Sequence, residues 1–267
     1  RDMLGDAIEI RATPALYQQF QRHRLALLDG DLLDSSNLDR IAADARAGKS
    51  VLVCCNLVRR AQDAYDALVE RLRATSIDVE LLHGGFNMRD RAVRERFVRE
   101  RAGSATGSGT PFVLVATQVV EVSLDIDLDT LYTDPAPLEA LVQRFGRINR
   151  RRKQTGLAPV HVFRLPDDGQ YIYSPPELIT RTLAVLECEN GAPLDESAVG
   201  AWVDSIYAGE IADTWRATFD RAASEFDAAC LRSLVPFRSA DQTLIEMFYH
   251  AFDGIDVIPK CHEEEYL

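Results

Sequence analysis

Apolar residues fill every position of 51–55 and then thin into a repeat, with Val58, Ala61, Tyr65, Leu68 and Leu72 returning at three- and four-residue intervals. A short all-apolar run followed by a 3.6-residue period predicts a buried strand leading into an amphipathic helix. The unit recurs: 79–82 is a short apolar strand, and after Gly84-Gly85 a charged helix is predicted over 88–101 with Val93 and Phe97 turned inward. A Gly/Ser/Thr-rich stretch at 103–111 predicts a mobile loop. A third apolar run occupies 112–116, followed by TQVVEVSLDIDLD at 117–129 and a strand at 130–133. Pro137 suits a first helical turn, and Leu138, Leu141, Val142 and Phe145 share one face of the helix beyond it. Residues 160–165 read as one more strand.

Strands alternating with helices of ten or more residues predict an α/β fold, a parallel sheet with helices on both faces. Two helices, at 14–33 and 37–47, are predicted to lead into the first core strand, and no internal repeat is visible. Residues 175–232 read as mostly helical, with Trp202 and Trp215 among the apolar positions, and 255–258 as a final strand. The expected partition is 1–167, with a lead-in at 12–47 and a core at 50–165, then a helical linker and extension at 168–267.

Of the 267 residues, 46% are hydrophobic, enough for a sizeable core. No apolar run is long enough for a membrane helix and no signal peptide opens the chain, so a soluble cytoplasmic protein with no membrane partner is expected. The five cysteines are scattered without a C-x-x-C pair, which argues against a disulfide framework or zinc; adjacent Cys54 and Cys55 read as buried thiols. A net charge of −12 excludes a uniformly basic nucleic-acid coat. Yet Arg144, Arg147, Arg150, Arg151, Arg152 and Lys153 crowd within ten positions, so the average hides a local basic site. A chain opening on Arg1 rather than methionine suggests a recombinant piece, a processed product or a fragment of a longer polypeptide.

The chemistry concentrates in QRFGRINRRR at 143–152. Spacing by three places the guanidinium groups of Arg144, Arg147 and Arg150 on one side of a helix, or lets them fan from a loop toward one anion. Each is a planar fork of donors that stays charged, which suits the negative charge of a phosphoryl-transfer transition state. Arg151, Arg152 and Lys153 read equally well as a solvated basic turn.

This segment resembles motif VI of superfamily 2 helicases, Q/H-R-x-G-R-x-x-R. Residues 112–129 look like motif V, 51–56 like motif IV, and LLHGGF at 81–86, with Arg89 and Arg91 beyond it, like the block between. The wording of 116–150, ATQVVEVSLDIDLDTLYTDPAPLEALVQRFGRINR, is similar to the CRISPR-associated helicase-nuclease of type I systems, as is the tail at 252–266. The resemblance implies a RecA-like second motor domain working with ATP. It implies Arg147 and Arg150 as catalytic fingers, with Gln143, Arg144, Gly146 and Asp125 on the nucleotide side and Arg144 coupling the two motor domains. It implies Asn56, His83, Thr117 and Gln118 on the nucleic acid. The implied partners are single-stranded DNA, a first RecA-like domain, an HD nuclease domain and a CRISPR surveillance complex.

A P-loop and an acidic box are not found. Gly48-Lys49-Ser50 mimics a P-loop but precedes its strand, and Asp195-Glu196-Ser197-Ala198 mimics the box but sits before a helix, with Asp195 reading as an N-cap. Mg2+ is therefore expected on the first motor domain, no metal site here, and this chain alone is expected to be inactive in hydrolysis. For His83 a structural role and nucleic-acid contact stand about even, and for Asn56 ordinary turn chemistry is the alternative. Two other readings remain open: a non-catalytic, helicase-derived module docking on a surveillance complex or inhibitor, and half of another superfamily 2 RNA or DNA helicase.

Overall fold

A computed structural model describes residues 12–103, 110–122, 124–165 and 172–227. The strands are β1 (His23–Leu28), β2 (Val51–Cys54), β3 (Asp78–Leu82), β4 (Phe112–Ala116), β5 (Thr130–Thr133) and β6 (Ala158–Phe163). The helices are α1 (Pro14–Phe20), α2 (Ser35–Arg46), α3 (Val58–Leu72), α4 (Met88–Ala102), α5 (Leu138–Phe145), α6 (Glu177–Cys188), α7 (Val199–Ile206) and α8 (Glu210–Phe226). All six strands join one parallel sheet in the order β1-β6-β5-β2-β4-β3, as the alternation of strand and helix requires.

β2 and β4 lie centrally and are buried at every position. Being covered on both faces is why they read as unbroken apolar runs. Val51, Val53, Val113 and Val115 share one core with Leu38, Ile41 and Ala45 of α2 and Ala61, Ala64, Leu68 and Leu72 of α3. By the two-residue alternation of a strand, Leu52, Cys54, Leu114 and Ala116 point to the other face. Cys54 and Cys55 are fully buried, and burial pushes the Cys54 thiol up to about 11.

The lead-in departs from expectation. Residues 14–33 form not one helix but α1 followed by β1, which pairs with β6 along its whole length. HRLALL alternates Leu25 and Leu27 inward, and pairing to a buried neighbour outweighs the helical period that YQQF suggests. The outer edge of β1 is closed by residues 190–194, through Leu25 N–H to Ala192 O, Gly191 N–H to Leu25 O and Leu194 N–H to His23 O. That closure blunts an edge otherwise open to strand addition. In α4 the inward residues are Val98 and Ala102, whereas Val93 is exposed and Phe97 lies half-buried under the Arg101 guanidinium. Leu165 is exposed past the end of β6.

The chain divides into two compact units, the first running to Ala208 and so including α6 and α7, the second beginning at Gly209. In the second, α8 exposes Trp215, Phe219 and Phe226. In the first, Trp202 is half-buried. The loop tip 104–109, the end of the predicted helical stretch beyond 227, the strand at 255–258, and Cys230 and Cys261 lie outside the described residues. No described helix is long and apolar enough to cross a membrane.

Candidate functional site

The arginine segment sits where α5 stops. Gly146 caps the helix, its N–H bonding Val142 O, and a Cβ there would lie 3.2 Å from the Gln143 carbonyl, so the turn favours glycine. Because the helix ends before the second arginine, the three guanidinium groups part company rather than sharing one face. Arg144 falls on the buried stripe with Leu141 and Phe145 and is 0% exposed. Arg147 is half-buried, and Arg150 stands 42% exposed.

Arg144 spends all five of its N–H donors inside the domain. Nε reaches Glu121 Oε1 at 2.9 Å, Nη1 reaches Thr133 Oγ1 at 2.7 Å and Asp134 O at 3.2 Å, and Nη2 reaches Asn56 Oδ1 at 3.0 Å and the Tyr173 hydroxyl at 2.9 Å. Burial alone would lower its affinity for a proton, but the facing acceptors and anionic groups outweigh that and raise it. The expectation that Arg144 faces nucleotide is thus not met in this conformation. It ties the end of β2, the motif V turn, β5 and α5 together from within.

The residues expected on nucleic acid lie around the same hub. Asn56, 2% exposed, takes its N–H to Asp134 Oδ2 at 3.0 Å and its amide to Pro135 O at 2.9 Å while accepting from Arg144. Gln118 opens the 3-10 turn Gln118–Val120 and donates to Asn56 O at 2.9 Å. Thr117 is buried, its N–H bonded to Leu82 O. His83 is buried and stacked on Phe86 at 4.1 Å, its Nδ1 accepting from Gly85 N–H; burial, then Arg94, lowers its pKa. Structure brings Asn56, Thr117 and Gln118 together, with the Asn56 and Gln118 amides engaged internally, and places His83 against Phe86.

The outer two arginines behave differently. Arg147 donates from Nη1 to Leu124 O at 2.6 Å and from Nη2 to Glu121 O, both backbone carbonyls of the motif V turn, while its buried Nε has no hydrogen-bond partner among the described residues. Burial, and then the neighbouring Arg150, lower its pKa, although a guanidinium remains charged at any working pH. Arg150 pairs through Nε with Asp125 at 3.4 Å. Its N–H donates to Asp127 Oδ1 at 2.7 Å and that of Arg151 to Oδ2 at 3.3 Å, which holds the loop. The SLDIDLD pattern is therefore period-two: Leu124, Ile126 and Leu128 are buried, Asp125 and Asp127 serve the arginine loop, and Asp129 takes the Ser50 N–H at 2.7 Å.

Gln143, Gly146, Arg147 and Arg150 line an open groove of about 630 Å³, walled by Arg22, Glu139, Val142, Val199 and Val203. Three arginines against one glutamate make its lining mainly cationic, so the residues present fit an anionic group such as a phosphate. Glu121, Thr133, Tyr173 and Asp127 were not singled out from sequence. The aspartate alternation could have shown Asp127, but a lone tyrosine after β6 carries no signal. Among the described residues no group of three His, Cys, Asp or Glu is placed to hold a metal ion. The P-loop look-alike Gly48-Lys49-Ser50 is the turn from α2 into β2, with Gly48 at φ +90° and Lys49 paired to Asp44 at 2.8 Å. Asp195 caps the turn before α7, taking the Ser197 N–H, while Ala198 is the N-cap of the helix itself.

Residues 47–153 match the family model described as CRISPR-associated nuclease/helicase Cas3, C-terminal. The CRISPR-associated endonuclease/helicase Cas3 of Escherichia coli (strain K12) is 40% identical over 186 residues, which is 66% of this chain and 21% of that protein. The chain carries a superfamily 2 helicase C-terminal domain of the Cas3 family. It spans about a fifth of the length of that curated relative. The structure of T. fusca Cas3 with ADP superposes with a TM-score of 0.65 at 26% identity, covering 83% of this chain and 27% of that one. A chain of a CRISPR RNA-guided surveillance complex, pre-nicking, gives a TM-score of 0.62 at 26% identity over 88% of this chain and 30% of its own. The RecA-like α/β sheet of this Cas3-type domain thus agrees with solved relatives.

Proposed function

We propose that this Cas3-type domain is the second motor half of an ATP-dependent translocase on single-stranded DNA, acting in type I CRISPR interference. The observation that carries the reading is the cationic groove on which Gln143, Arg147 and Arg150 converge. Crystal structures of T. fusca Cas3-ADP and T. fusca Cas3-AMPPNP support nucleotide as its occupant. Arg147 and Arg150 turn their forks from the motif V carbonyls and Asp125 onto the γ-phosphate when a first motor domain closes against the groove. Gln143 and Gly146 form the wall there. The P-loop and its Mg2+ belong to that first domain, so this chain alone does not hydrolyse ATP.

Motif V joins nucleotide to track. Arg147 grips the carbonyls of Glu121 and Leu124, and the turn that bears Glu121 begins at Gln118 beside Thr117 and Asn56. Releasing Arg147 to a phosphate frees that turn, and the loops at the carboxyl ends of β2 and β4 are where a strand of DNA would be held. Alternating grip by the two halves then moves the motor. In the whole protein an HD nuclease domain and a surveillance complex are the further partners.

The test is reconstitution. The purified chain should show no ATPase. Adding a Cas3-type first motor domain should produce hydrolysis stimulated by single-stranded DNA more than by single-stranded RNA or duplex. Stimulation by RNA alone would move the chain to another superfamily 2 class, and no hydrolysis with any nucleic acid would defeat the motor reading.

A further inference from the structure

Tyr173 lies beyond the region matched by the family model, which ends at residue 153, yet its hydroxyl closes the most buried part of the site. It accepts from Arg144 Nη2 at 2.9 Å and faces Gln118 Nε2 at 3.5 Å, while Gln118 also donates to Asn56 O. Two elements therefore meet on one phenol, α5 and the motif V turn, and Arg144 and Gln118 carry the contact on to Asn56 at the end of β2. Glu121 is the matching anchor on the other side. Its carboxylate takes the Arg144 Nε–H, and its backbone carbonyl takes Arg147. Any shift of Glu121 relative to α5 must move the hub and the outer arginine together.

A buried guanidinium tolerates little slack. With every donor engaged, loss of one acceptor leaves an N–H facing no water, and the side chain must turn to recover it. A turn of Arg144 displaces Glu121, and with it the carbonyl that positions Arg147. We propose that Tyr173 and Glu121 are positioning residues of the motor site, holding Arg144 so that Arg147 is presented to the groove in one place. Through Tyr173 the segment after β6 grips Arg144 directly and, by way of Glu121, acts on Arg147, the arginine that meets nucleotide. This rests on the motor reading given above.

The test joins the full 267-residue chain to a Cas3-type first motor domain and follows phosphate release at saturating single-stranded oligonucleotide. Tyr173→Phe keeps the ring and removes a single hydroxyl. It should lower kcat about tenfold, the worth of one hydrogen bond to a charged group, with KM for ATP within about twofold and no loss of folded fraction by thermal unfolding. Glu121→Ala should lower kcat further, and Glu121→Gln, which keeps an oxygen for the Arg144 Nε–H, should lower it less than the alanine variant does. A purely structural tyrosine would instead reduce the folded fraction and leave turnover per folded molecule unchanged. Tyr173→Phe with parental kcat, while the parent pair is active, overturns the proposal alone. A parent pair that hydrolyses no ATP overturns the motor reading and the proposal with it.

Discussion

Arg144 is the residue whose removal should disturb this domain most. Arg144→Ala deletes a side chain that is 0% exposed and strands the Glu121 carboxylate together with the oxygens of Thr133, Asn56 and Tyr173. Removing one partner of a buried ion pair costs about 3–5 kcal/mol, because the survivor stays buried without compensation. Arg144→Lys retains the charge, but its three donors radiate from one nitrogen and cannot reach acceptors arranged around a planar fork, so about 2–3 kcal/mol should still be lost. With a urea slope of about 3 kcal/mol/M, the alanine variant should unfold roughly 1 M earlier and the lysine variant somewhat less. The two tryptophans, Trp202 and Trp215, make the assay clean: in a Trp215→Phe background, fluorescence reports on α7 in the first unit alone. If both variants unfold within about 0.3 M of the parent, the hub adds no more than a surface contact and the reasoning about Arg144 fails.

Other consequences follow from the same geometry. His23 is buried with Nε2 2.7 Å from Ile148 O, and burial pushes its pKa down to about 4 from 6.5. The unfolded chain therefore takes up a proton below pH 6.5 that the folded one resists. Stability from the neutral ring is complete above that pH, and about 3 kcal/mol of it is lost between pH 6.5 and 4; His23→Gln should flatten this part of a urea-midpoint profile. Asp127→Ala should cost about 1–2 kcal/mol by freeing the Arg150 and Arg151 N–H groups, and Asp127→Asn less, read from the same urea midpoints. With Cys230 and Cys261 changed to Ser, an aromatic disulfide reagent should modify exposed Cys188 at once and the buried pair Cys54 and Cys55 only on unfolding; fast reaction of two or three thiols would contradict the central placement of β2.

The parts of the fold that could be read from sequence are those whose physics is repetitive. β2 and β4, covered on both faces, leave runs of apolar residues, and α3 carries its buried stripe at helical spacing, so both were visible. β1 was not, because HRLALL follows YQQFQR without a turn signal and its pairing with β6 is a distant contact that local pattern does not encode. The arginine segment is visible as chemistry, while its spacing leaves a shared helix face and a fan from a loop both open. The helix ends at Phe145, so Arg144 turns into the core while Arg147 and Arg150 leave it. The buried state of Asn56 and the role of Tyr173 depend on that inward turn, and nothing in their neighbours' identities announces it.

The reading of this domain as a motor half stands on Arg147 and Arg150 reaching the transferred phosphate. Steady-state ATP hydrolysis by the chain paired with a first motor domain, with Arg147→Ala and Arg150→Ala measured beside the parent, decides it. Each variant should fold and bind single-stranded DNA yet lose about 10³-fold or more in kcat, the usual worth of an arginine finger. Parental turnover in both variants would show that these guanidinium groups never meet the nucleotide.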